Sequence, residues 1–179
     1  MDWFVVDKNY VSYLKKFDDR VGQVEYGEKL KLHIGILIEI ADYKYYVPVS
    51  SPKEKHNKMS NGLDFHKLVN PEDGTLYAVI NINNMIPVPD QYVIQLKYND
   101  IENYRTFKNE KEKTNYIYLL QLEKAVIDDI NEVLCSKAKK LYEKVYINQE
   151  STLAKRCCDF KLLEQKCDEW IKLQNQSQK

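Results

Sequence analysis

The sequence lacks most of the motifs by which enzymes hold a phosphate or attack an ester. It has only five glycines in 179 residues, and it contains neither a G-x-x-x-x-G-K-[ST] loop nor a G-x-G-x-x-G turn. No G-x-S-x-G motif surrounds a serine, and there is no H-E-x-x-H pair. These absences argue against a P-loop nucleotidase, a dinucleotide-binding enzyme, an ordinary serine hydrolase and a zinc protease.

Sequence patterns for metal binding are also missing. The four cysteines have no C-x-x-C spacing and no histidine close to them, which argues against a zinc site. The acidic pairs Asp18-Asp19 and Asp128-Asp129 lie on or beside predicted helices, where adjacent side chains diverge. We therefore expect no metal and no other cofactor, and we expect the cysteines to be reduced thiols that partly face the core.

An excess of one charge is lacking as well, because 27 basic residues are balanced by 27 acidic ones. The chain as a whole therefore has no net field that would attract nucleic acid. No apolar run approaches the roughly 20 residues needed to cross a bilayer, and the first residues do not follow the pattern of an export signal. We expect a cytoplasmic protein that makes no membrane contact.

The order of the patterns predicts an α+β fold in one domain over residues 1–179. The sheet-forming part covers about 1–100, and the helical part covers about 102–174. Alternating or β-branched runs predict strands at 2–6, 33–40, 43–49, 65–69, 76–80, 85–88 and 92–96. The second and third of these are joined by the tight turn at Ala41-Asp42 and should form an antiparallel hairpin. A loop with Pro52, Asn57, Asn61 and Gly62 should follow.

Three helical segments are predicted from apolar spacing and capping residues. Asp7 should cap a first helix that ends near Asp18-Asp19. A long helical pattern runs to Tyr146 and exceeds the usual helix length, so we expect a break between residues 128 and 136. Asp159 should cap a final helix that continues to about Leu173.

The end of the strand at 43–49 has the most distinctive set of side chains in the sequence. Two hydroxyls and a proline follow it, and then come cations and an imidazole: Ser50, Ser51, Pro52, Lys53, Lys55, His56 and Lys58. Residues 29 to 67 contain seven lysines but only four acidic residues, and all three histidines of the chain lie at 33–66. A rigid strand end with hydroxyls and cations can hold a phosphate. Residue types alone fit equally a polar hairpin exit with solvated lysines.

The hairpin also brings the start of one strand to the end of the other. Lys31 precedes the first strand, whereas Ser51 and Lys53 follow the second, so antiparallel pairing should place them close together. Lysines, hydroxyls and tyrosines without a metal suit the cleavage of RNA by its own 2′-hydroxyl, which needs a base, an acid and cations on the phosphate. Two alternatives stay open: a non-catalytic RNA-binding module and a protein-interaction domain.

Four motifs in order between residues 10 and 88 carry a family resemblance. They are Tyr13-Leu14-x-x-Phe17-Asp18-x-x-Val21, Lys31-x-x-Ile34-Gly35-Ile36, Tyr45-x-x-Pro48-x-Ser50-Ser51-Pro52-Lys53 with His56, and Asn81-x-x-x-Met85-Ile86-Pro87-Val88. Together they resemble the ToxN/AbiQ family of endoribonuclease toxins from type III toxin–antitoxin systems, including its CptN branch. The helical half resembles the family in pattern more than in identity.

The resemblance implies a strongly twisted antiparallel sheet surrounded by helices, related to the MazF/Kid toxins. It implies metal-independent cleavage of adenine-rich cellular or phage RNA that leaves a 2′,3′-cyclic phosphate and a 5′-hydroxyl. It also implies inhibition by a small repetitive RNA antitoxin, whose pseudoknot-type repeats bind the protein in a closed protein–RNA assembly.

The resemblance also implies roles for individual residues. The catalytic set would be Lys31, Ser50, Ser51 and Lys53, with Lys31 in proton transfer or charge stabilisation and Lys53 on the phosphate. RNA contacts would come from Tyr26, Lys29, His33, Lys55, His56 and Lys58. His33 departs from the family pattern, and it either stacks on a base or lies at the strand edge without a chemical role.

Overall fold

The computed structural model describes residues 1–22, 25–26, 29–30, 32–40 and 42–177. Nine β-strands occur in this described part. In chain order they are β1 (Asp2–Val6), β2 (Glu25–Tyr26), β3 (Lys29–Leu30), β4 (His33–Ile40), β5 (Tyr43–Ser50), β6 (His66–Val69), β7 (Leu76–Ile80), β8 (Ile86–Pro87) and β9 (Val93–Gln95).

Six α-helices occur within the same ranges. They are α1 (Lys8–Lys15), α2 (Glu54–Lys58), α3 (Glu110–Asp129), α4 (Asn131–Ile147), α5 (Thr152–Lys155) and α6 (Phe160–Ser177). Short 3-10 turns at Ile82–Asn84, Asp90–Tyr92 and Tyr98–Asn103 connect strands to each other and to α3.

The strands confirm the predicted α+β class. The main sheet has the order β6-β7-β5-β4-β1-β9, with β8 paired to the turn-proximal part of β5, and every pairing is antiparallel. β2 and β3 form a separate two-stranded ribbon. Helices α3 to α6 follow the sheet in sequence, and of these α4 packs on β4 and α6 on β8.

The predicted hairpin of β4 and β5 is confirmed and lies at the centre of the sheet. Its register runs from Ile40 opposite Tyr43 at the turn to His33 opposite Pro48 at the open end. Gly35 is required here, because a Cβ at this position would lie 2.2 Å from the ring of Tyr46. The ring of Tyr46 therefore occupies the space that any side chain at position 35 would need.

The helices bury apolar stripes at helical spacing. On α4 the buried positions are Leu134, Ala138, Leu141 and Val145, which form one face against the sheet. The predicted cap at Asp7 is confirmed, since its carboxylate accepts from the backbone N–H of Tyr10 at 2.8 Å. The second predicted cap is also confirmed, because Asp159 accepts from the N–H of Leu162 at 3.1 Å.

The long helical pattern breaks where it was expected. Ile130 leaves helical geometry with φ −106° and ψ 12°, and it separates α3 from α4. The final helix runs to Ser177, a little beyond the predicted end near Leu173. Cys157, Cys158 and Cys167 are buried free thiols, as predicted for core-facing cysteines.

Two sequence predictions need correction. The segment after Pro52 was predicted as a loop, but it contains the five-residue helix α2. The ribbon of β2 and β3 and the short helix α5 were also missed. Each of these elements is too short to show a hydrophobic period in the sequence. Among the described residues, no helix is both long enough and apolar enough to span a membrane.

Candidate functional site

Strand β5 ends at Ser50, in the interior of the sheet rather than at its edge. Ser50 lies opposite Val79 of β7, and its Oγ accepts a hydrogen bond from Nδ2 of Asn81 at 3.1 Å. One residue earlier, the N–H of Val49 donates to the carbonyl of Leu32 at 3.1 Å, so the entry of β4 lies beside the exit of β5. The hydroxyl of Ser50 is thus held by a rigid platform.

The chain beyond Ser50 turns outward into solvent. Ser51, Pro52 and Lys53 are all exposed, and Lys53 is the N-cap residue of α2. Lys55 and Lys58 on that helix are exposed as well. The predicted hydroxyls and cations therefore lie within one short, accessible segment at the strand end.

The lysines of this segment differ in their electrostatic surroundings from four lysines elsewhere in the described chain. Lys44, Lys113, Lys124 and Lys166 each form an ion pair. No carboxylate of the described residues pairs with Lys53, Lys55 or Lys58. An ammonium group without a carboxylate partner is available to an external anion such as a phosphodiester.

His56 has an internal partner. Its Nδ1 accepts the backbone N–H of Lys53 at 3.0 Å, and its ring packs against Phe65 with centroids 5.6 Å apart. Only 6% of the residue is exposed. Burial, followed by the charges of Lys55 and Lys53, lowers the pKa of its imidazole below the ordinary 6.5, so the ring is neutral at pH 7. A direct RNA contact by His56 stays a prediction.

A further cation shares the face of the sheet that carries Ser50. Residues opposite each other in neighbouring strands point to the same face, and Val79 is opposite both Ser50 and Lys67. Asn81, two residues after Val79, is on this face too. Sequence reasoning counted Lys67 only as part of a basic region and gave Asn81 no role.

The structure places His33 inside the sheet, at the first residue of β4. It pairs with Phe4 on one side and with Pro48 on the other, because β1 lies against β4. Only 4% of the residue is exposed. Little of the ring is open to a base in this conformation, and its predicted RNA contact stays a prediction.

Three predicted site residues can be placed only in part or not at all. Lys31 lies outside the described residues, so its predicted proximity to Ser51 stays a prediction. Tyr26 and Lys29 pair with each other in the backbone of the β2–β3 ribbon. Their predicted roles in RNA contact also stay predictions.

Two other features of the described residues bear on where a ligand could bind. Across the described ranges, no three His, Cys, Asp or Glu side chains gather in a way that could hold a metal ion. A surface cavity of about 390 Å³ lies between β1 and α3, lined by Asp2, Trp3, Leu96, Tyr98, Gln121, Lys124, Ala125 and Asp128. None of these residues belongs to the segment from Ser50 to Lys58 at the end of β5, which we call the strand-exit site.

Comparison with known proteins gives the chain a family. The family described as toxin ToxN of type III toxin–antitoxin systems matches residues 3–168. The chain is 27% identical to endoribonuclease AbiQ of Lactococcus lactis subsp. lactis over 92% of its length and 86% of the relative. It is 28% identical to endoribonuclease ToxN of Pectobacterium atrosepticum, over 93% of its length and 91% of the relative.

A solved structure supports the same assignment. It comes from work on a processed non-coding RNA that regulates a bacterial antiviral system, and it matches with a TM-score of 0.79 at 28% identity. The match covers 94% of this chain and 98% of that one. The expected relation to the MazF/Kid toxins is a separate question and stays a prediction. The chain belongs to the ToxN toxin family of type III toxin–antitoxin systems.

Proposed function

We propose that this protein is the endoribonuclease toxin of a type III toxin–antitoxin system and that it cuts RNA at the end of strand β5. One observation carries the proposal: a hydroxyl anchored in the sheet, Ser50, adjoins the exposed Ser51 and three lysines that no described carboxylate neutralises. The names of the two compared relatives, both endoribonucleases, support the same chemistry.

The proposed reaction is transesterification within the RNA. The 2′-oxygen attacks the adjacent phosphorus, the new 2′-O–P bond forms, and the bond to the 5′-oxygen breaks. The 2′ proton goes to a base, and the leaving 5′-oxygen takes up a proton. The products are a 2′,3′-cyclic phosphate and a 5′-hydroxyl, with no metal required.

The roles of the residues follow from their positions. Ser51 and Lys53 are exposed and adjacent, so the hydroxyl can donate to a non-bridging phosphate oxygen while the ammonium offsets the charge that develops there. Lys31, which the sequence places near the same phosphate, would serve in proton transfer or charge stabilisation. Ser50 would be held beside the site by the hydrogen bond that it accepts from Asn81.

The proposed substrate and inhibitor are both RNA. Adenine-rich cellular or phage RNA would be the substrate, and the lysines of α2 together with Lys67 would hold its backbone by charge. A repetitive small RNA antitoxin with pseudoknot-type folded repeats would cover the same surface at the end of β5, within a closed protein–RNA assembly. Work on the structurally similar protein, in which a processed non-coding RNA regulates an antiviral system, supports an RNA inhibitor. The protein would act in the bacterial cytoplasm.

A cleavage assay in EDTA tests the proposal. Purified protein is incubated with adenine-rich RNA, and the ends of the products are analysed for cyclic phosphate and 5′-hydroxyl groups. We expect cleavage by the wild type and none by Ser51→Ala, with equal thermal unfolding midpoints. Binding without cleavage by the wild type would indicate the non-catalytic RNA-binding module instead. A Ser51→Ala variant that still cleaves would remove this hydroxyl from the mechanism.

A further inference from the structure

The start of helix α2 is closed by a reciprocal pair of hydrogen bonds between Lys53 and His56. The backbone N–H of Lys53 donates to Nδ1 of His56 at 3.0 Å, and the N–H of His56 donates to the carbonyl of Lys53 at 2.8 Å. The second bond ends on a backbone carbonyl, because the ammonium side chain of Lys53 cannot accept a hydrogen bond. The bond to Nδ1 is the half of a capping box in which the side chain at the third helical position accepts the N-cap N–H, with imidazole in place of the usual Glu or Gln. It fixes the backbone of Lys53 although its side chain is exposed.

The imidazole is itself fixed by packing. It is 6% exposed and lies against Phe65, which is 7% exposed. Phe65 and Val79 are buried but lie outside the main hydrophobic cluster. Phe65 directly precedes β6, and Val79 of β7 lies opposite Ser50. Because Nδ1 accepts a hydrogen bond, the neutral ring carries its proton on Nε2.

We propose that His56 is a positioning residue, which holds Lys53 at the strand exit by accepting its backbone N–H. The inference rests on the proposed RNA-cleaving function, since Lys53 is the residue taken to contact the phosphate. It gives His56 a role that needs no exposed surface. Without the acceptor, Lys53 would lose one of its two hydrogen bonds to α2, and the ammonium would spend less time in the productive position.

Protonation provides a natural test of this link. An imidazolium has a donor at Nδ1 and cannot accept the N–H of Lys53. The charged groups nearest the ring are Lys53 and Lys55. On the segment that carries Phe65, the carboxylate of Asp64 is paired with Arg156 at 2.9 Å, and His66 faces Lys137 across 2.9 Å. The positioning bond should therefore persist at neutral pH and be lost in acid, below the ordinary pKa of 6.5.

The test compares two substitutions at one site. His56→Phe keeps a ring against Phe65 but removes the acceptor, whereas His56→Gln supplies the side chain that usually closes a capping box. Asn57→Ala, at an exposed neighbouring position of α2, is the matched control. The measurements are the hydrogen-exchange protection of the Lys53 amide, corrected for intrinsic exchange, and kcat and KM for RNA cleavage between pH 5 and 8.

We expect His56→Phe to lose protection at Lys53 and to lower kcat by about 10- to 100-fold with little change in KM. His56→Gln should restore both, and its kcat should lack the decline in acid that the wild type shows. Asn57→Ala should match the wild type. If His56→Phe does not fold, the pH dependence of Lys53 protection in the wild type and in His56→Gln decides the question.

Two results overturn the inference. One is a folded His56→Phe with full kcat and unchanged Lys53 protection. The other is a Lys53 amide protection that does not change with pH in the wild type and that has the same value in His56→Gln. A wild type that protects Lys53 as expected but never cleaves RNA would instead contradict the proposed function, so the two failures can be told apart.

Discussion

Polar side chains at the end of β5 and polar side chains inside the helix–sheet core have opposite surroundings. In the core, the carboxylate of Glu164 accepts hydrogen bonds from the hydroxyls of Tyr45 and Tyr142, each at 2.7 Å. At the strand exit, Ser51 and Lys53 are exposed and have no carboxylate partner among the described residues.

This difference distinguishes polar groups that stabilise the fold from polar groups that are available to bind a ligand. A buried polar group must find its partner inside the protein, because leaving it unpaired costs free energy. Glu164 does so with two tyrosines, and burial beside that carboxylate raises the pKa of both hydroxyls. Exposed groups at a rigid strand end have no such need, and they can form their bonds with an incoming ligand.

The largest effect on RNA cleavage is expected when a cation is removed from the proposed site. Lys31→Ala should lower the rate of RNA cleavage on the order of 1,000-fold, because charge stabilisation counts most in the transition state. RNA binding, measured by titration with an uncleavable analogue, should fall much less, and the unfolding midpoint should not change. Equal losses in binding and cleavage would mean that Lys31 only positions the RNA.

The opposite result is expected in the core. Glu164→Leu should lower the free energy of unfolding by about 4 kcal/mol, since two buried tyrosine hydroxyls lose their shared acceptor. Chemical denaturation measures this loss, and kcat of the folded fraction should stay near the wild-type value. Gln165→Leu, at an exposed position of the same helix, is the control and should change stability little. A stable Glu164→Leu would refute the structural role.

Glu123 is a buried carboxyl whose burial raises its pKa to about 8 from an ordinary 4.5. The native protein therefore holds a proton that the unfolded chain releases, and this group's contribution to stability falls as pH rises from 4.5 to about 8. Glu123→Gln should remove that slope and stabilise the protein by about 3 kcal/mol at pH 7. Chemical denaturation at pH 5 and pH 8 checks the sign of this pH dependence. Equal increases in the free energy of unfolding at both pH values would contradict it.

The smallest effect is expected where the two regions meet. Asn81 lies next to the buried strand β7 and donates to Ser50, so Asn81→Ala should lower kcat by about tenfold through a misoriented hydroxyl. KM should change little, and Asn57→Ala again serves as the control. An unchanged kcat would show that Ser50 needs no partner from this asparagine.

The sequence predicted the parts of the fold that depend on local periodicity. The β4–β5 hairpin, the caps at Asp7 and Asp159 and the break at Ile130 all follow from patterns within a short window. Helix α2 does not, because five residues show no period and its N-cap residue is Lys53. Lysine is not among the residues preferred at an N-cap, so no sequence rule for capping would select it.

The candidate site was predictable only where it lies on one strand. Ser50, Ser51 and Lys53 are consecutive or nearly so, whereas the contact between Ser50 and Asn81 depends on β7 lying next to β5. The burial of His33 depends likewise on β1, which is distant in sequence. Strand order is a property of the whole chain, and a local pattern contains little information about it.

Cross-linking tests most directly the claim that RNA is bound and cut at the end of β5. An RNA with a 2′-deoxy group at the reacting position cannot be cleaved by its own 2′-oxygen, and photoreactive bases in it can be cross-linked to the bound protein. We expect mass spectrometry to find the cross-links at the exposed Ser51, Lys53, Lys55 and Lys58 and at Lys67. Cross-links confined to α4 and α6, with none at the strand exit, would contradict the account.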